Sequence, residues 1–138
     1  DEKDASANAI EVTVDAASVN TMHEGRDEHL RNEDFFHVEK HKEISFKSTA
    51  WEKSGDNTYK VSGDLTLLGV TKPITFEARE LGSGKGMKGE FRRGFETTFT
   101  IKRSDFGMEK MVGPIGDEVE LTISFEAILQ ELEAPAQL

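Results

Sequence analysis

Few residues in this sequence stand where side-chain chemistry would need them. Arg26-Asp27-Glu28-His29 sets a histidine beside two carboxylates, the material of a general base. No nucleophile and no oxyanion donor can be assigned to partner it, and pairing of Asp27 with Arg31 at i,i+4 on a helix surface accounts for the charges without catalysis. No catalytic residue is assigned. His37 and His41 are spaced to share a metal ion on a helix, but the segment leads into a strand. Glu39 is also not where a zincin motif puts its glutamate, and a third ligand is missing, so no metal site and no cofactor is expected. Gly82, Gly84, Gly86 and Gly89 form a lysine-containing run without the Gly-Lys-Ser/Thr ending or following helix of a phosphate loop, which reads as a flexible hairpin connection. Arg92-Arg93 could meet a phosphate or quinone head group at a rim, although a solvated basic spot on an acidic surface is the plainer reading. In Arg103-Ser104-Asp105-Phe106-Gly107, Ser104 and Asp105 suit a turn, Gly107 a positive φ, and Phe106 a plug. An Arg103–Asp pair there would lock a closure.

The elements that must position these residues are strands. Tyr59, Val61, Leu65 and Leu67 fall on one face by period two, with Lys60, Ser62, Asp64 and Thr66 on the other. Gly69 allows a turn, and Pro73, which has no ladder donor, belongs at a strand start or edge. Ile74, Phe76 and Ala78 then alternate with Thr75, Glu77 and Arg79. The same alternation marks Ile10 to Val14, Ile44 to Trp51, Phe95 to Ile101 and Val119 to Ala127. One helix is expected over Arg26 to Phe36, held by packing of Leu30, Phe35 and Phe36 rather than by propensity. About six strands at hairpin spacing, each with one apolar and one polar face, have no second helical layer to cover them. Such a sheet must stack as a sandwich or curl on itself, and an antiparallel barrel with an apolar lumen fits best.

Composition bounds the partners. The chain has 138 residues, no cysteine, and 27 Asp and Glu against 17 Lys and Arg, for a formal net charge of −10. That rules out disulfides and cysteine nucleophiles and disfavours nucleic acid and anionic membrane surfaces. No apolar run has the roughly 18 residues of a membrane helix, so no stable membrane insertion is expected.

The sequence resembles the YceI-like family. The likeness lies in Ser18-Val19-Asn20-Thr21, Arg26-Asp27-Glu28-His29-Leu30, Phe35-Phe36, Ile44-Ser45-Phe46-Lys47-Ser48, Gly63 through Pro73, Arg103-Ser104-Asp105-Phe106-Gly107 and Gly116-Asp117-Glu118-Val119. These blocks follow one another in the family's order from about Val12 to Ala127. The resemblance implies an all-β, lipocalin-like antiparallel barrel, eight-stranded in the family. It further implies a polyisoprenoid or similar amphiphile, of quinone or prenyl pyrophosphate type, held in the lumen, and a periplasmic or otherwise secreted location. Two departures stand out. Two initial strands, carrying His-Ser and Gly-x-Phe motifs in the family, are expected to be absent here, which would leave open edges or call for a second copy in a homodimer. His41-Lys42 also replaces a frequent Tyr-Pro.

On this reading residues 1–130 form a shortened barrel domain and 131–138 a tail. Phe46, Val61, Leu65, Leu67, Phe76, Phe95, Phe99, Ile123 and Phe125 line the lumen, Arg92 and Arg93 are candidates for a head group, and the protein is a carrier rather than an enzyme. Two other functions compete with it. An enzyme acting on a small apolar substrate in the same cavity would need a titratable lumen residue, whereas the lumen positions above are apolar. An interaction module pairing through open edges would bind no ligand.

Overall fold

The structure is a computed structural model and describes residues 8–128. The opening segment 1–7 and the tail from 129 onward lie outside the described residues. Six strands follow one another: β1 (Glu11–Asp15), β2 (Glu43–Lys53), β3 (Thr58–Leu67), β4 (Val70–Lys85), β5 (Phe91–Lys102) and β6 (Glu118–Ile128). Each pairs antiparallel with its sequence neighbours in the order β1-β2-β3-β4-β5-β6. The sheet curls into a half-barrel. Its concave face is apolar, while the convex face carries threonine and serine pairs such as Ser62–Thr75, Thr66–Thr71 and Thr98–Thr122.

Register explains where each side chain points. Phe46 opposes Leu65, but Trp51 opposes Val61, because the β2–β3 register shifts between Ser48 and Ala50. This bulge adds one residue and reverses parity, so Ile44, Phe46 and Trp51 share a face despite their uneven spacing. A second shift between Glu80 and Gly82 leaves Leu81 half-exposed. The β3–β4 hairpin turns on Leu68 and Gly69, both at positive φ (54° and 73°), as the tightest hairpin turn requires.

Pro73 sits in a stretch where β4 is paired to β3 alone, since the β4–β5 ladder begins only at Ala78 opposite Thr97. A residue without an N–H is tolerated there because the strand is locally an edge. At the divergence Thr97, 3% exposed, donates its hydroxyl to the Glu77 carbonyl at 2.7 Å. The short 3₁₀ turn Arg103–Phe106 packs against both strands at this end.

Two expectations about the elements are corrected. The helix, α1 (Glu24–Arg31), starts earlier and stops sooner than Arg26 to Phe36. The His23 ring caps its start by accepting from the Arg26 amide, and the Asn32 side chain accepts from the Asp34 amide, which turns the chain at its end. The glycine-rich run is largely strand: Gly82 and Gly84 oppose Gly94 and Arg92, leaving only residues 86–90 as the connection. Pairing with β5 overrides the low strand propensity of glycine.

Candidate functional site

The candidate site is the concave face. Strand parity brings Phe46, Val61, Leu65, Leu67, Phe76 and Phe95 into one buried cluster, with Phe99 and Phe125 partly buried against it. Ile123, registered opposite Thr97, shares the face at its more open β6 margin. Aromatic rings tile this surface. Phe76 and Phe99 stack with centroids 5.0 Å apart, Phe95 and Phe125 at 5.2 Å, and Phe46 tilts against Phe76 at 5.2 Å. The Phe46 ring lies over Gly63, its diagonal neighbour on β3, where a Cβ would come 2.5 Å from Phe46 Cζ. The nine sequence-derived lining residues therefore share one surface. Burial is deepest on β3, with five buried residues against two on each of β2, β4 and β5 and none on β6.

Toward the β2–β3 hairpin the face becomes polar. Arg93 follows the parity of Phe95, points inward and is only 14% exposed at its side chain. Its guanidinium grips Glu80 through two bonds, Nη2 to Oε2 at 2.7 Å and Nε to Oε1 at 3.1 Å. It also donates to the Tyr59 hydroxyl at 2.9 Å and lies over the Tyr59 and Phe95 rings. Arg92, one residue earlier, points to the convex face and pairs with Glu90 and Glu126. The two candidate head-group arginines thus part to opposite faces, and only Arg93 belongs to the concave one.

Beside the apolar lining residues the concave face also holds a titratable pair, Arg93 and Glu80. Arg93 holds the Glu80 carboxyl below its ordinary range, against the opposing effect of burial, and Glu80 in turn raises Arg93. Two groups locked as opposite charges supply neither an acid nor a base near neutral pH. Glu80 was missed in the sequence, although it continues the inward series Ile74, Phe76, Ala78. Trp51 (3% exposed) and Tyr59 (4%) complete the surroundings, their rings 5.7 Å apart.

The opposite end is closed. Phe106 enters the core cluster, and Gly107 takes φ 82° behind it. Arg103, 4% exposed, does not meet an Asp carboxylate. It donates instead to four backbone carbonyls: Gly116 (2.9 Å), Met108 (3.1 Å), Lys110 (2.8 Å) and Ile115 (3.1 Å). Asp105 is exposed, and the aspartate that matters is Asp117, which accepts from the Ser104 amide and hydroxyl at 2.9 and 2.6 Å. A guanidinium with five donors suits a loop that curls its carbonyls inward, and the sequence gives no sign of that curl.

The remaining polar motifs are anchors. Asp27 and Arg31 do not pair as expected but both hold the loop before the helix. Asp27 accepts from the Thr21 amide and hydroxyl, and Arg31 donates to the carbonyls of Ala17 and Val19. The bonds from Thr21 hold the Asp27 carboxyl below its ordinary range. His29 pairs with Asp34 at 3.1 Å, and His37 meets His41 edge to face. Among the described residues no group of three or more ligating side chains could hold a metal. Two surface clefts, about 390 Å³ beside Ala17–Asn20 and α1 and about 590 Å³ between Thr13 and Lys42, lie outside the aromatic surface.

Comparison with known proteins follows the same lines. The YceI-like domain matches residues 1–127. A UPF0312 protein of Serratia proteamaculans is 47% identical over 128 residues, covering 93% of this chain and 66% of that protein. One from Pseudomonas aeruginosa is 45% identical over 130 residues, covering 94% and 68%. The chain spans about two thirds of the length of these curated relatives. Among solved structures, the YCEI protein of Campylobacter jejuni gives a TM-score of 0.85 at 35% identity, over 95% of this chain and 78% of that one. Burkholderia cenocepacia BcnA gives 0.83 at 25% identity, over 92% and 79%.

Proposed function

The chain belongs to the YceI-like family, and from that premise we propose that it is a non-enzymatic carrier that shelters an isoprenoid lipid against its concave face. The observation that carries this reading is the aromatic surface itself. Phe46, Phe76 and Phe99 form one continuous run of rings and Phe95 with Phe125 another, on a face whose exposure grows toward β6. Each CH₂ of a prenyl chain removed from water there is worth about 0.8 kcal/mol, which exceeds what is lost in ordering the chain once several units are buried. The closed Arg103 end suits the tail, and the polar end around Arg93 suits the head group, of quinone or prenyl pyrophosphate type. The periplasm or another secreted compartment is the matching location. Native mass spectrometry with organic extraction tests the proposal: one prenyl lipid per barrel supports it, and protein that stays empty after incubation with prenyl lipids overturns it.

A further inference from the structure

Eight large apolar residues are exposed among the described residues, and five of them stand apart in sequence, as any surface allows. The other three, Met111 (44% exposed), Val112 (44%) and Ile115 (42%), share one turn of the loop that follows Arg103–Phe106. Residues 111–116 carry no charge. This turn is held firmly. The Ile115 amide donates to the Met111 carbonyl at 2.9 Å, Gly113 to Ile115 at 3.3 Å and Val112 to Glu109 at 3.2 Å. Pro114 has no N–H, so every N–H from Val112 to Ile115 is bonded inside the loop. Buried Arg103 takes the carbonyls of Lys110 and Ile115. Met111 is kept at φ 57°, a conformation that glycine or asparagine adopts more readily.

We propose that this turn is a membrane-contact site, which docks the Arg103 end of the sheet reversibly on the surface of a zwitterionic lipid bilayer. Three observations choose that occupant. The apolar phase of a bilayer admits only backbone whose N–H groups are already satisfied, and the tip meets that condition before any contact. Three side chains fall far short of the roughly 20–30 residues a side of a stable protein interface, so neither a second copy nor a standing protein partner is held here. The charge excludes anionic lipid. No lysine or arginine in residues 111–116 can meet a phosphate, Lys110 lies 3.9 Å from Asp34, and the whole chain carries −10. Contact through apolar area alone gives weak, reversible binding. The turn is separate from the concave face, and the proposal stands whether or not that face holds lipid.

The chain has four methionines, which give the test its own controls. Met22 (91% exposed) and Met87 (105%) are open to any collision, Met108 (6%) is buried, and Met111 alone lies on the turn. The full chain, labelled with ¹³C at its methionine methyls, is mixed with phosphatidylcholine bicelles that carry a paramagnetic lipid. The Met111 signal is expected to broaden most, with Met22 and Met87 nearly unchanged despite their greater exposure. In flotation with phosphatidylcholine vesicles, Met111→Asn/Val112→Thr/Ile115→Thr is expected to lower partitioning about tenfold, because binding scales with the apolar area removed from water. Met87→Ser should leave it unchanged, and adding phosphatidylglycerol should weaken binding. Broadening of Met22 or Met87 as strong as that of Met111 overturns the proposal, as does an absence of bound protein or binding that rises with anionic lipid. Concentration-dependent dimerisation that the triple variant abolishes assigns the turn to a second copy and overturns it too. Should the triple variant not fold, the wild-type methyl signals decide alone.

Discussion

Replacing Arg103 by Met keeps the volume of the side chain and removes its donors from four carbonyls. Hydrogen bonds to a charged group contribute about 1.5–3 kcal/mol each, but the four are not additive. Lys110 and Ile115 are exposed residues, so water can take over part of their carbonyls' demand. The loss should then be that of a broken buried network, about 3–5 kcal/mol. At about 2.1 cal/mol/K per residue, unfolding 138 residues carries roughly 0.29 kcal/mol/K, so Tm should fall by about 10–17 °C. Calorimetry reads the shift, and hydrogen exchange should show residues 104–117 opening first. Asp105→Asn is the control: an exposed aspartate with no bond to Arg103 should leave Tm nearly unchanged. An Arg103→Met protein that melts within about 3 °C of the parent with unchanged exchange would refute the carbonyl cage. An Asp105→Asn protein as damaged as Arg103→Met would instead restore an arginine–aspartate lock.

Other perturbations separate neighbouring residues. Gly63→Ala should cost about 1–3 kcal/mol in chemical denaturation, since its Cβ would collide with the Phe46 ring and the Lys47 carbonyl; a neutral result would mean that Phe46 does not lie over Gly63. Arg93→Met should destabilise by about 3–5 kcal/mol by leaving Glu80 unpaired, with much of the loss restored in the Arg93→Met/Glu80→Met double variant, whereas Arg92→Ala should cost under about 1 kcal/mol. Denaturant midpoints of the three variants check this order. Asp27, Glu80 and Asp117 have carboxyl pKa values lowered by folding, through Thr21, Arg93 and Ser104 in turn. Their stabilisation is complete above their ordinary values of 3.8 to 4.5 and drains away as pH falls through the lower folded values. Thermal melts should thus drop steeply below about pH 4.5, and Glu80→Gln should flatten part of that drop.

Period-two alternation made the strands and the lining residues legible, because a half-buried sheet imposes its pleat on the sequence. Phe95, Thr97, Phe99 and Ile101 could be read inward without any structure. What alternation could not supply was parity across a bulge: the extra residue between Ser48 and Ala50 is what returns Trp51 to the face, and its spacing from Phe46 shows only that something intervenes. Arg93 and Glu80 were legible in principle, since both extend inward series, but a charge on an apolar face was read as rim. Arg103 was read as pairing with an aspartate to lock a closure and Asp27 as pairing with Arg31 on the helix surface, yet their partners proved to be backbone carbonyls and a threonine, groups on which side-chain patterning carries no information. The helix ended early at Asn32 because a local side-chain bond outcompeted continuation, a contest that propensity alone does not resolve.

Native mass spectrometry of the protein from a bacterial host, with the released lipid identified after organic extraction, tests whether the concave face holds lipid. One prenyl lipid per barrel is the expected result. Protein at the bare polypeptide mass, unchanged after incubation with prenylated benzoquinone or prenyl diphosphate, would contradict it.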